Sequence, residues 1–170
     1  MALFAAALAL GSCSGKDPYN PGQGIGTFHV TSTLVSSSCG TVPNPWEFDV
    51  KLRHDAQTVY WVQGGAPVQG KLDAHSNTSM TSSTSTTLRD ANAQTHVAAC
   101  VVTRTDSVAF ALDTTDPSAA TALSGTLGYR FDPDQGSDCA DQTLDSGGDF
   151  AALPCDVSYT ITAKKTGDLK

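Results

Sequence analysis

The residues most suggestive of chemistry are carboxylates. Asp132, Asp134 and Asp138 stand around Pro133 and Gly136, and Asp141, Asp145 and Asp149 follow them. Calcium takes roughly six to eight oxygen ligands, and alternating carboxylates around a glycine turn are how short loops deliver them. Asp132, Asp134 and Asp138 are therefore the candidate calcium ligands. The order departs from the EF-hand, because Gly136 takes the fifth position and Thr143 stands where a closing Glu belongs. The alternative is a solvated surface loop tied down by Cys139. The four histidines, His29, His54, His75 and His96, show neither H-x-H nor H-x-x-x-H spacing, so no metal motif is written along the chain. Gly11-Ser12-Cys13-Ser14-Gly15 fits the outline of a hydrolase nucleophile elbow, but that motif needs a strand before it and a helix after it. Here an apolar run precedes, and a Pro/Gly/Asn stretch that cannot continue a helix follows. No glycine run has P-loop or dinucleotide spacing. No catalytic residue is nominated, and the protein is expected not to be an enzyme.

Ala2 to Leu10 is an apolar run too short to span a bilayer and of the length of a secretory h-region. It ends in Leu10-Gly11-Ser12-Cys13, which resembles the lipobox of bacterial lipoproteins. The resemblance implies a diacylglycerol thioether on Cys13, cleavage before it, and acylation of the new amino group. Several acyl chains on one residue make a stable anchor where one would be marginal. Ser14, rather than Asp, follows the cysteine, which implies the outer membrane, facing the periplasm or the surface. An ordinary secretory signal is the alternative. No Lys or Arg precedes the apolar run, so the true start is expected upstream of Met1. The expected organisation is a lipoprotein-type signal at 1–12, a lipidated cysteine and flexible tether at 13–23, a β domain at 24–166 and a tail at 167–170.

An exported chain folds in an oxidising compartment, and removing Cys13 leaves Cys39, Cys100, Cys139 and Cys155 for two disulfides. Three pairings are open. The absence of a C-x-x-C argues against zinc or redox work. The short polar loop between them favours Cys139–Cys155; the alternative brings Cys39, after the first strand, to Cys155, before the last.

These residues need a scaffold, and composition limits it. The chain has 170 residues, 16% charged, with 17 Ser and 21 Thr, so its surface is kept wet by hydroxyls more than by ions. Sixteen of the 17 acids are Asp, which suits turns and strand ends rather than helix interiors. A net charge of −7 with 10 basic residues removes the electrostatic footprint that nucleic acid requires. Trp46 to Arg53 alternates apolar and charged residues, and the same period of two returns at Leu123 to Phe131 and Val157 to Ala163. Weaker strands are expected at Ile25 to Val35, Thr58 to Val62, Val68 to Ala74, Thr95 to Thr103 and Val108 to Leu112. Thr105-Asp106-Ser107 has turn composition. The tract from Ser76 to Thr87 is a long solvated hairpin arm or an edge strand, and its Asn77-Thr78-Ser79 fits a glycosylation acceptor pattern.

The expected fold is a single all-β antiparallel domain of eight to ten strands, a disulfide-stapled meander barrel, with a two-sheet sandwich as the alternative. The expected role is a lipid-anchored, non-enzymatic envelope protein that binds a partner or plays a structural part, similar to small Gram-negative lipoproteins. Its membrane contact is the lipid, and its protein or small-molecule partner is open. The first alternative is a calycin-like carrier of an apolar ligand, since Gly26-Thr27-Phe28 resembles the opening strand of that group. The second is a calcium-dependent adhesion or sugar-binding module built on the aspartate loop and the hydroxyl tract.

Overall fold

The structure, a computed structural model, describes residues 17–169. Cys13 and the signal-like run lie outside the described residues. Eight strands make one antiparallel sheet: β1 (Gln23–Ser37), β2 (Trp46–Asp55), β3 (Thr58–Val62), β4 (Val68–Lys71), β5 (Asn77–Arg89), β6 (Cys100–Leu112), β7 (Ala122–Pro133) and β8 (Cys155–Gly167). The order across the sheet is β4-β3-β2-β1-β8-β7-β6-β5. Every strand except β4 therefore pairs with the next in sequence, and the sheet curls into a nearly closed meander barrel. The first and last strands are zipped together, from Thr27 opposite Gly167 to Ser37 opposite Val157. The seam that stays open lies between β4 and β5, which run close enough that a side chain at Gly70 would collide with Thr78 and Ser79.

Alternation decides what faces inward. Phe28, Val30, Val50, Leu52, Val59 and Ile161 are each 2% exposed or less and fill the half of the barrel where β1 begins. Gly125 on β7 lets β6 approach there, since a side chain at that point would run into Ala109 and Phe110. A 3₁₀ turn, Pro117–Ala119, caps this end. Ala120 behind it is buried, and Ser118 Oγ lies 3.2 Å from His54 Nε2.

The outside is divided by chemistry. β2 turns Glu47, Asp49, Lys51 and Arg53 outward, and His29 Nδ1 on β1 lies 2.9 Å from Asp49 Oδ1. Across β1, β8, β7, β6 and β5 two outward rows carry no charge: Thr31, Thr162, Ser124, Ala111 and Asn77 in one, Thr33, Thr160, Thr126, Ala109 and Ser79 in the next.

Three expectations need correction. Cys139 does not pair with Cys155; the bridges are Cys39–Cys155 and Cys100–Cys139. The β1–β8 ladder sets Cys39 beside Cys155, and the β7–β8 connection folds back so that Asp138 N donates to Ala99 O, delivering Cys139 to Cys100. Thr105-Asp106-Ser107 is no turn. It is the middle of one strand, paired on both sides with Ser83, Ser82, Thr81 and with Arg130, Tyr129, Gly128. Residues 95–99 precede that strand instead of forming it.

Opening Cys39–Cys155 by a paired serine substitution is expected to cost roughly 2–5 kcal/mol, and opening Cys100–Cys139 about 1 kcal/mol less, because the second closes a loop of 39 rather than 116 residues. Denaturant melts of the two variants check this. Acid provides a second test. Hydrogen bonds from Asn77 hold the Asp73 carboxyl below its ordinary value, and those from Thr121 do the same for Asp113. Both stabilise the fold while ionised, so stability is expected to fall as pH drops below about 4, through the native values. Asp113→Asn should flatten that acid limb in pH-dependent thermal melts.

Candidate functional site

The two ends of the barrel differ because its strands differ in length. β3 and β4 have five and four residues, whereas β5 and β6 have 13 each. The long hairpin therefore runs past the short one, and its inward face is left uncovered at the end where β2 and β8 begin. Both disulfides and the long connections at 38–45, 90–99 and 134–154 gather at this mouth.

The ladder registers place three kinds of side chain across the uncovered face. Ser82 lies opposite Asp106, which lies opposite Tyr129; one step further, Thr84 lies opposite Arg104, which lies opposite Phe131. Hydroxyls, an ion pair and aromatic rings thus form three parallel columns. Arg104 bonds both Asp106 oxygens, from Nε at 2.6 Å and Nη2 at 3.0 Å. Its guanidinium also lies 4.4 Å from the centre of the Tyr129 ring, a distance at which a cation is drawn to the ring face. Burial pushes the Tyr129 hydroxyl well above its ordinary value, with Arg104 opposing, and burial likewise raises Tyr159.

Two hollows meet at this cluster. A cleft of about 620 Å³ opens along the β4–β5 seam, with Trp61, Met80, Val108, Leu127 and Tyr129 below and Gln63, Gln69, Ser82, Thr84 and Asp106 around it. A groove of about 290 Å³ along Ser82, Thr84, Thr86 and Arg104 adjoins it, sharing Ser82, Thr84 and Asp106. On the other side of Arg104 and Tyr129 a hollow of about 440 Å³ is lined by Trp46, Phe131, Phe150, Tyr159 and the Cys39 loop. Trp46 is its centrepiece, 4.5 Å from Phe48, 5.8 Å from Tyr129 and 5.9 Å from Tyr159 between ring centres. Tyr159 donates from its hydroxyl to Pro43 O, pinning the loop that roofs this hollow. Arg89 ties the hairpin tip down, donating to Ala98 O and Asp138 O and pairing with Asp141.

The nominated aspartates go elsewhere. Arg130 holds Asp132 in a bidentate pair at 2.7 and 2.8 Å, Thr103 donates to Asp134, and Asp138 accepts from the Ala140 N–H. They do not converge, and among the described residues no three His, Cys, Asp or Glu side chains form a ligand set. Arg104 was not nominated by sequence. Its signal was the Arg104-x-Asp106 spacing, which puts opposite charges on one face of a strand, and it was hidden because Asp106 sat in a segment of turn composition.

Replacing Arg104 with Leu is expected to lower stability by about 0.5–1 kcal/mol, the size of an exposed cation–π contact, and to alter the near-UV circular dichroism of the aromatic cluster; a denaturant melt and a spectrum check both. Compared with known proteins, the chain matches no family model, no curated protein and no solved structure.

Proposed function

We propose that this protein is a non-enzymatic binding domain of the cell envelope, held by lipid on Cys13, with its ligand seated in the barrel mouth. The observation that carries the proposal is that the seam cleft and the aromatic hollow share Tyr129, with Arg104 lining both the hollow and the groove beside the cleft. Concave surfaces that join aromatic side chains to a few oriented polar groups are the usual form of a small-ligand site. Phe28, Val30, Leu52 and Ile161 fill the barrel below, which favours a ligand lying in the mouth over one swallowed whole, as a calycin-like carrier would hold it.

Orientation supports the same proposal. β1 leaves the capped end, where Gln23 faces His54, and reaches the mouth at Ser32, opposite Trp46. A tether entering at Gln23 would therefore turn the capped end toward the membrane and the mouth away from it.

The test is titration of the oxidised protein with 1-anilinonaphthalene-8-sulfonate, followed by fluorescence. Saturable binding is expected, weakened about tenfold, or roughly 1.4 kcal/mol, by Trp46→Ala or Phe150→Ala, with far-UV circular dichroism confirming the fold. Binding that does not saturate, or that both folded variants retain in full, would overturn the proposal.

A further inference from the structure

Resting on the mouth as a binding site, we infer that the uncovered inner face of β5, β6 and β7 takes a neutral oligosaccharide, laid along the strands from the seam cleft toward Thr86. Charge is the first argument. Asp106 engages Arg104 at two nitrogens, so the polar lining is neutral and an anionic ligand meets no uncompensated cation.

Hydrogen-bond chemistry is the second. An apolar ligand would desolvate Ser82, Thr84 and the ion pair without replacing their water, at about 1–3 kcal/mol for each group left unsatisfied. A sugar hydroxyl both donates and accepts, so a polyhydroxylated chain meets serine, threonine, carboxylate and guanidinium alike.

Shape is the third. The cleft and the groove share Ser82, Thr84 and Asp106 and so lie side by side on β5 and β6. Hydroxyls on alternate residues recur about every 7 Å along a strand, a repeat suited to an extended chain. The apolar carbon face of a sugar ring then lies toward Trp61 and Tyr129, which line the same cleft.

The experiment is native affinity electrophoresis of the oxidised protein in gels containing dextran, mannan, a mixed-linkage β-glucan or polygalacturonate, with the anilinonaphthalene titration run in parallel. Retardation by at least one neutral polysaccharide is expected, with affinity lowered at least tenfold in a Ser82→Ala, Thr84→Val variant. Both substitutions lie on the mouth-end stretch of β5 and leave the aromatic hollow intact. Retardation by polygalacturonate alone, or retardation that the variant keeps, overturns the inference. No retardation while the fluorescent probe still binds saturably overturns the saccharide and leaves the binding mouth standing; loss of both overturns the two together.

Discussion

The pairing of β1 with β8 is the constraint on which the rest of the structure depends. These strands lie at opposite ends of the sequence, so their ladder carries the largest loop-closure entropy in the chain. Once it forms, the two four-strand meanders become a single curved sheet and every other pairing is local. The Cys39–Cys155 bridge sits at the end of this ladder and spans 116 residues, which removes freedom from the unfolded chain where the most would otherwise be lost. It also fixes the loop whose Pro43 carbonyl receives the Tyr159 hydroxyl, so the clamp that closes the barrel shapes its mouth as well.

Closing the barrel at its termini moves the imperfection elsewhere. The unpaired edges fall on β4 and β5, and β4 is too short to cover its neighbour. Long exposed edges usually invite other chains. Here the edge strand is built from serine and threonine, and on the outer face its hydroxyls already bond across to β6, Ser83 to Thr105 and Ser85 to Thr103. The same shortfall uncovers Arg104, Asp106 and Tyr129, so the weakest seam of the wall is also where the interior becomes accessible.

The fold was largely legible because it obeys a period of two. The alternation of Trp46 to Arg53 names an inner face that the structure buries at Val50 and Leu52, and Val157, Tyr159, Ile161 and Ala163 are all buried on β8. The tract from Ser76 to Thr87 supplies most of the edge strand β5. What could not be read was anything fixed by tertiary pairing. Composition marks Thr105-Asp106-Ser107 as a turn, and only strands on both sides, with Arg104 to neutralise Asp106, keep it extended. Cysteine spacing favoured the shortest loop, while the ladders chose the partners. In the aspartate loop the partner of Asp132 is Arg130, two residues before it on β7, whereas the partner of Asp134 is Thr103 on β6, which only the strand pairing brings near.

The direction of β1 has a mechanical consequence. Because the strand runs from the capped end to the mouth, a pull on Gln23 resisted by something held at the mouth acts along the strand axes. The ladder bonds on both sides of β1 then share the load in shear, and many must fail at once. A pull between the start of β1 and the end of β8 would instead peel their ladder open one bond at a time, beginning at Thr27 and Gly167. The same barrel is therefore strong along the line from tether to mouth and weak between its two chain ends.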